Sequence, residues 1–214
     1  MPSSDSLINA FITLFVTIDP IGNAPLFLGL TVGLSAIDRR AIAIRGSAIS
    51  FGILSLFAIT GTTILDSIGI TIDAFRIAGG LLLFVTAFEM IYGQRQERRE
   101  EATNVAVADR VANLAVFPLA IPLLAGPGTI SATILLSSQL SSGEQSSGYT
   151  GTIILVVIIA LLMSLTAAVL IAAEFLDKYI GVTGKLVLTR LLGVLLAALS
   201  VQYIADGILA FATH

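Results

Sequence analysis

Asp19 is a carboxylate with long apolar sequence on either side, in the stretch TIDPIGNAP at 17–25, where Pro20, Gly22, Asn23 and Pro25 follow it closely. An aspartate at the centre of a membrane helix costs about 2.5–3.5 kcal/mol on insertion scales, so its default reading is functional: it binds a cation, an ammonium group or a proton. The structural alternative is a helix cap, because aspartate accepts hydrogen bonds from first-turn amides. The stretch PLLAGP at 122–127 repeats the proline spacing without the acid, Ile121 standing where Asp19 would fall.

Proline removes one backbone donor and blocks the carbonyl a turn earlier. Two prolines five apart therefore predict a helix interrupted in mid-span. The first half-helix should end near Ile18 or Asp19, with 20–24 extended and Pro25 opening the second half, a position proline favours. Pro122 and Pro127 predict the same in the second stretch. A half-helix that begins inside a membrane aims amides and the positive end of its dipole at whatever lies there, which suits a carboxylate. The half that ends there offers carbonyls to an ammonium or a cation.

These arguments select the candidate binding residues: Asp19, Gly22, Asn23, Ala24 and Pro25 from one break, and Ala125, Gly126, Pro127, Gly128 and Thr129 from the other. The glycines would let a ligand approach the backbone closely. Amides of 24–26 and 126–129 are expected to take a carboxylate, while Asp19, Asn23 and nearby carbonyls take an ammonium or the coupling proton. The set describes a small zwitterion better than an apolar compound.

The elements that must position these residues are membrane spans. Of the 214 residues, 56% are hydrophobic and 12% charged, and the mean hydropathy is +0.99. A soluble domain carries about 25% charged residues. A span needs about 20 mostly apolar residues, and six segments qualify, at about 7–31, 42–65, 74–92, 112–138, 151–174 and 186–211. The start of the chain has no basic residue ahead of its apolar run, so the first span is expected to be retained rather than cleaved as a signal peptide. Ten of the eleven basic residues fall in the first, third and fifth connections; Arg76 is the exception. The bias of Lys and Arg toward the cytoplasm then puts both termini outside.

The chain divides into 1–92, a polar linker at about 93–111, and 112–214, all within one membrane domain. The two halves match in order. Besides the paired prolines, LDSIGIT at 65–71 resembles LDKYIGVT at 176–183, and RIAGGLLLF at 76–84 resembles RLLGVLLAA at 190–198. Three spans per half force the second half to enter the membrane in the opposite sense, so the predicted fold is all-α, six helices in two inverted three-helix repeats, with helices one and four broken. Arg76 and Arg190 stand at the mouths of spans three and six, where basic side chains snorkel to the interface; they are also the candidates for gating. Glu89, Glu174 and Asp206 read as interfacial.

Other chemistry finds little footing. The chain has no cysteine, its one histidine is His214 at the terminus, and no Gly-Lys-Ser phosphate loop occurs. No metal, cofactor or enzymatic activity is expected. The net charge of −3 leaves no basic face for nucleic acid.

The motifs FVTIDPIGNAPLFL and LAGPGTI, the six spans and the length resemble the MarC family of bacterial and archaeal inner-membrane proteins, also grouped as a neutral amino acid transporter family. The resemblance covers essentially the whole chain. It implies uptake of small neutral amino acids such as glycine and alanine, coupled to a cation gradient with protons the expected ion. Export of amino acids or other metabolites and a non-transporting membrane interaction protein are the rival functions, and homo-oligomerisation is left open.

Overall fold

The computed structural model describes residues 4–92, 114–141 and 148–212. The expected linker, with Arg95, Arg98, Arg99 and Arg110, lies outside the described residues, as does His214. The described chain is helical: α1 (Ser4–Ile18), α2 (Pro20–Leu30), α3 (Ala36–Ser67), α4 (Ile72–Tyr92), an irregular wide-turned segment (Ala115–Leu124), α5 (Pro127–Ser141), α6 (Gly148–Ile171) and α7 (Ala173–Ala212). Among the described residues five helical spans are long and apolar enough to cross a bilayer, counting α1 and α2 as one. The irregular segment with α5, bent by 59°, makes a sixth. These fall within a few residues of the expected six, except that α7 begins well before its apolar part, Leu186–Ala212.

Local signals set the helix ends. Ser35 caps α3 by accepting from the Asp38 amide at 3.2 Å, while its hydroxyl donates to the Asp38 carboxylate at 2.7 Å. At the other end of α3, Gly69 takes φ 76° and the Ile70 amide reaches back to the Leu65 carbonyl at 2.9 Å, a stop that glycine makes without strain. Thr71 then caps α4 through the Ala74 amide at 3.2 Å.

Burial separates centre from rim. In the first span 67% of the most apolar stretch is buried, against 22–33% in the four other single spans, so Ser4–Leu30 runs through the middle of the bundle. Most of α5 is buried with it. Around these two, α3, α4, α6 and α7 turn residues such as Ile59, Leu81, Val157, Leu161 and Leu195 outward. The α4 and α7 helices cross closely and antiparallel. A Cβ on Gly80 would lie 3.0 Å from the Ser200 carbonyl, one on Gly193 would lie 2.9 Å from Met90 Cβ, and one on Gly207 would lie 3.1 Å from the Asp73 carbonyl. Small residues permit that approach, as expected of helix contacts in membranes.

Candidate functional site

The first break is one residue long. Asp19 adopts φ 52° and ψ 63°, left-handed backbone that aspartate, asparagine and glycine reach at low cost. Its amide still donates to the Phe15 carbonyl at 3.0 Å, its own carbonyl accepts from the Asn23 amide at 3.0 Å, and its carboxylate accepts from the Gly22 amide at 3.0 Å. The helix α2 therefore starts at Pro20, with Pro25 inside it. This corrects the expected extended stretch over 20–24 and the expected helix start at Pro25. The reason is that a capped left-handed residue turns the chain by itself, and Pro20 then takes the first helical position, where its missing N–H costs nothing. The first-turn amides are accordingly those of 21–23, not 24–26.

The capping carboxylate rests over the α-carbon of Gly22, where any Cβ would collide with it. Asp19 is 2% exposed, so this is a buried acid whose nearest donor is backbone.

In the second break, Phe117 (φ −131°, ψ 127°) and Ile121 (φ −125°, ψ 124°) are extended, as residues before proline tend to be, and each joins its proline through a cis bond. The Ala125 amide reaches five residues back to the Ala120 carbonyl at 2.8 Å. Pro127 opens α5, as its spacing predicts. The bend thus centres on Ala125 and Gly126.

The two breaks meet. Thr129, in the first turn of α5, directs its hydroxyl to the Thr17 carbonyl at 3.4 Å, and the Asn23 side-chain amide donates to the Ile18 carbonyl at 2.7 Å. Both carbonyls belong to the end of α1, and Thr17, Ile18, Asn23 and Thr129 are each at most 2% exposed. The two carbonyls at this half-helix end thus accept from protein donors, Asn23 and Thr129. Ala24 and Ala125 are buried beside the breaks, and Pro25 is half-buried in α2. Gly126 and Gly128 are approached by protein atoms: Cβ atoms there would lie 2.7 Å from the Pro122 carbonyl and 2.8 Å from the Thr86 hydroxyl.

Arg76 and Arg190 are not part of this junction. Arg76 pairs with Asp73 one turn away at 3.3 Å, and Arg190 is exposed on α7. An ion pair that links the two halves is instead Arg39 with Glu174, at the rim of a cleft of about 310 Å³ lined by Phe27, Leu28, Arg40, Leu170 and Ile171. Its members are 135 positions apart, a separation no local spacing signals. Asp206 accepts from Gln202 at 2.7 Å, on an exposed part of α7. Among the described residues no cluster of acids and histidines could hold a metal ion.

Over residues 4–212 the chain matches the family described as MarC family integral membrane protein. A UPF0056 membrane protein of Aquifex aeolicus is 35% identical to it, the match covering 97% of this chain and 94% of the relative. The UPF0056 membrane protein YvbG of Bacillus subtilis is 34% identical, over 94% of this chain and 93% of the relative. YhcE of Escherichia coli, of the same description, is 35% identical, with coverage of 92% and 89%. No solved structure matches the chain. The chain belongs to the MarC family and is an integral, multi-pass membrane protein.

Proposed function

We propose that this MarC family member is a secondary transporter of small neutral amino acids, glycine- or alanine-like, which alternates access around the junction of its two broken spans and couples to a proton or cation through Asp19. The observation that carries the reading is the buried meeting of Asp19, Asn23 and Thr129 at the centre of the bundle. Apolar packing does not require an acid, an amide and a hydroxyl there, and burying them without function would be costly.

The bonds at the junction can be exchanged for those of a zwitterion. An ammonium donating to the Thr17 and Ile18 carbonyls would release the Thr129 hydroxyl and the Asn23 amide, which are the donors a carboxylate needs. Each exchange trades one hydrogen bond of about 0.5–1.5 kcal/mol net for another, so the site can open and reclose without a large barrier from bonding alone. Little room remains beside Gly126 and Gly128, which favours a small side chain.

Inverted repeats are supported by the packing. The second half of the first span packs on α7, as α5 packs on α4; the central spans lean on α6 and α3 in the same exchanged way. Swapping the halves maps this set of neighbours onto itself, as two halves related by a two-fold axis in the membrane plane would require. In this reading the membrane is a prokaryotic inner membrane and both termini are external, an orientation supported by the distribution of basic residues.

The test is a thermal-shift screen of the purified protein against the twenty amino acids, followed by uptake into proteoliposomes. A ligand at 100 times its dissociation constant stabilises by about 2.7 kcal/mol. Glycine or alanine should raise the melting temperature in a concentration-dependent way, and a proton gradient should drive their accumulation. No shift with any amino acid, together with co-purification of one stoichiometric protein partner, would reject transport in favour of an interaction role.

A further inference from the structure

On α1, Asn9, Thr13 and Thr17 are spaced four apart and so stack on one helix face. Thr13 and Thr17 are 1% and 0% exposed. The Thr13 hydroxyl donates to the Asn9 side-chain carbonyl at 3.3 Å, and the Thr17 hydroxyl to the Thr13 backbone carbonyl at 2.9 Å. At 1.5 Å per residue this polar ladder is about 12 Å long. Its inner rung is Thr17, whose carbonyl is already part of the junction.

Across from Thr13 stands Tyr203 of α7. Its ring is 3% exposed, and its hydroxyl lies beside the Thr13 and Gln139 side chains without forming a regular hydrogen bond to either. Arg76 of α4 and Asp206 of α7 lie near enough to act on that hydroxyl electrostatically, and the Arg76 Nε is likewise buried and unpartnered. Tyr203 is nine residues from the end of α7 at Ala212, and Thr13 is nine from the start of α1 at Ser4, so the two sit at the same depth, about 13 Å in. A buried hydroxyl left unsatisfied costs about 1–3 kcal/mol. Phenylalanine would fill this place without that cost.

We infer that the Asn9, Thr13 and Thr17 face of α1 is the route by which a small polar solute reaches the junction from the end of the bundle that carries Ser4, and that Tyr203 is the gate residue that closes it. The nature of the solute rests on the transport reading above; the gate does not. With the ring swung aside, the hydroxyls and the Asn9 amide replace water for a passing zwitterion. With the ring in place, the Tyr203 side chain fills the space between Thr13 and Gln139 and shuts the route.

The absence of native cysteine makes single-cysteine variants free of background. In the full-length protein in membrane vesicles, Thr17→Cys should react slowly with a membrane-impermeant thiosulfonate added on the face from which Ser4→Cys is labelled. Adding Tyr203→Phe, which keeps the ring and removes only the unsatisfied hydroxyl, should hold the gate shut more firmly and slow labelling about fivefold or more. Tyr203→Ala should instead speed it about tenfold or more by removing the ring's volume. Should the alanine variant fail to elute as a single species, the phenylalanine variant decides alone. Unchanged rates, or acceleration only from the opposite face, would overturn the gate. Because no solute enters this assay, that outcome leaves the proposed substrate untouched, and a negative amino acid screen equally leaves the gate standing.

Discussion

Replacing Asp19 in turn by asparagine, glycine and alanine separates the charge of this residue from its backbone. Asparagine keeps both the left-handed conformation and the capping acceptor, and caps helices about as well as aspartate. Glycine keeps the conformation and loses the side-chain acceptor, at a cost of a few tenths of a kcal/mol. Alanine loses the bond to the Gly22 amide, about 1 kcal/mol, and must hold φ near 52° with a Cβ, about 1–2 kcal/mol more. Alanine should therefore destabilise by about 2–3 kcal/mol, or roughly 5–10 °C at about 2–4 °C per kcal/mol for a chain of this size, while asparagine and glycine stay within about 2 °C of wild type. The chain has no tryptophan, so melting is best followed by circular dichroism or by the fraction still monodisperse after heating. Transport is the second arm: the asparagine variant should remain folded yet lose accumulation driven by a proton gradient. An alanine variant as stable as the asparagine one would refute the capped left-handed hinge. Wild-type accumulation by the asparagine variant would reduce the carboxylate to a cap.

The Arg39 and Glu174 side chains are 26% and 64% exposed, so their pair is worth at most about 1 kcal/mol; Arg39→Glu should lower the melting temperature by no more than a few degrees, and adding Glu174→Arg should restore it. Gly80→Val forces a side chain against the Ser200 carbonyl and should destabilise by about 1–3 kcal/mol, whereas Gly52→Ala, with nothing within 4 Å, should be tolerated in the same melting assay. A reporter fused after His214 should read as external and one inserted near Glu100 as cytoplasmic; a cytoplasmic C-terminus would contradict the orientation proposed from the basic residues.

The positions of the spans were legible because they depend on short-range chemistry, as was the start of α5 at Pro127. Runs of apolar residues mark the spans, and a proline or a capping acid marks where backbone bonding must stop. How each break is made was less legible. Two prolines five apart suggested an unwound turn, but Asp19 turns the chain alone, since a side chain three residues from an amide outcompetes solvent-free unwinding inside a bundle. The partners of the junction could not be read at all from spacing. Thr129 and Thr17 are 112 positions apart, and Ser137 donates to the Ala58 carbonyl at 2.6 Å across 79. Tyr203 gives no separate signal in the sequence, because an aromatic ring carries the same hydrophobic signal whether or not its hydroxyl lies among polar neighbours.

The left-handed backbone at position 19 also limits how that position can drift. The residues that reach this conformation cheaply are glycine, asparagine and aspartate, and each of the other two is a single base change from an aspartate codon. Mutation can thus discharge the centre of the bundle in one step without dismantling the hinge. Folding alone would let such changes accumulate, so a carboxylate that persists at this position in a lineage is held there by selection on what the charge does.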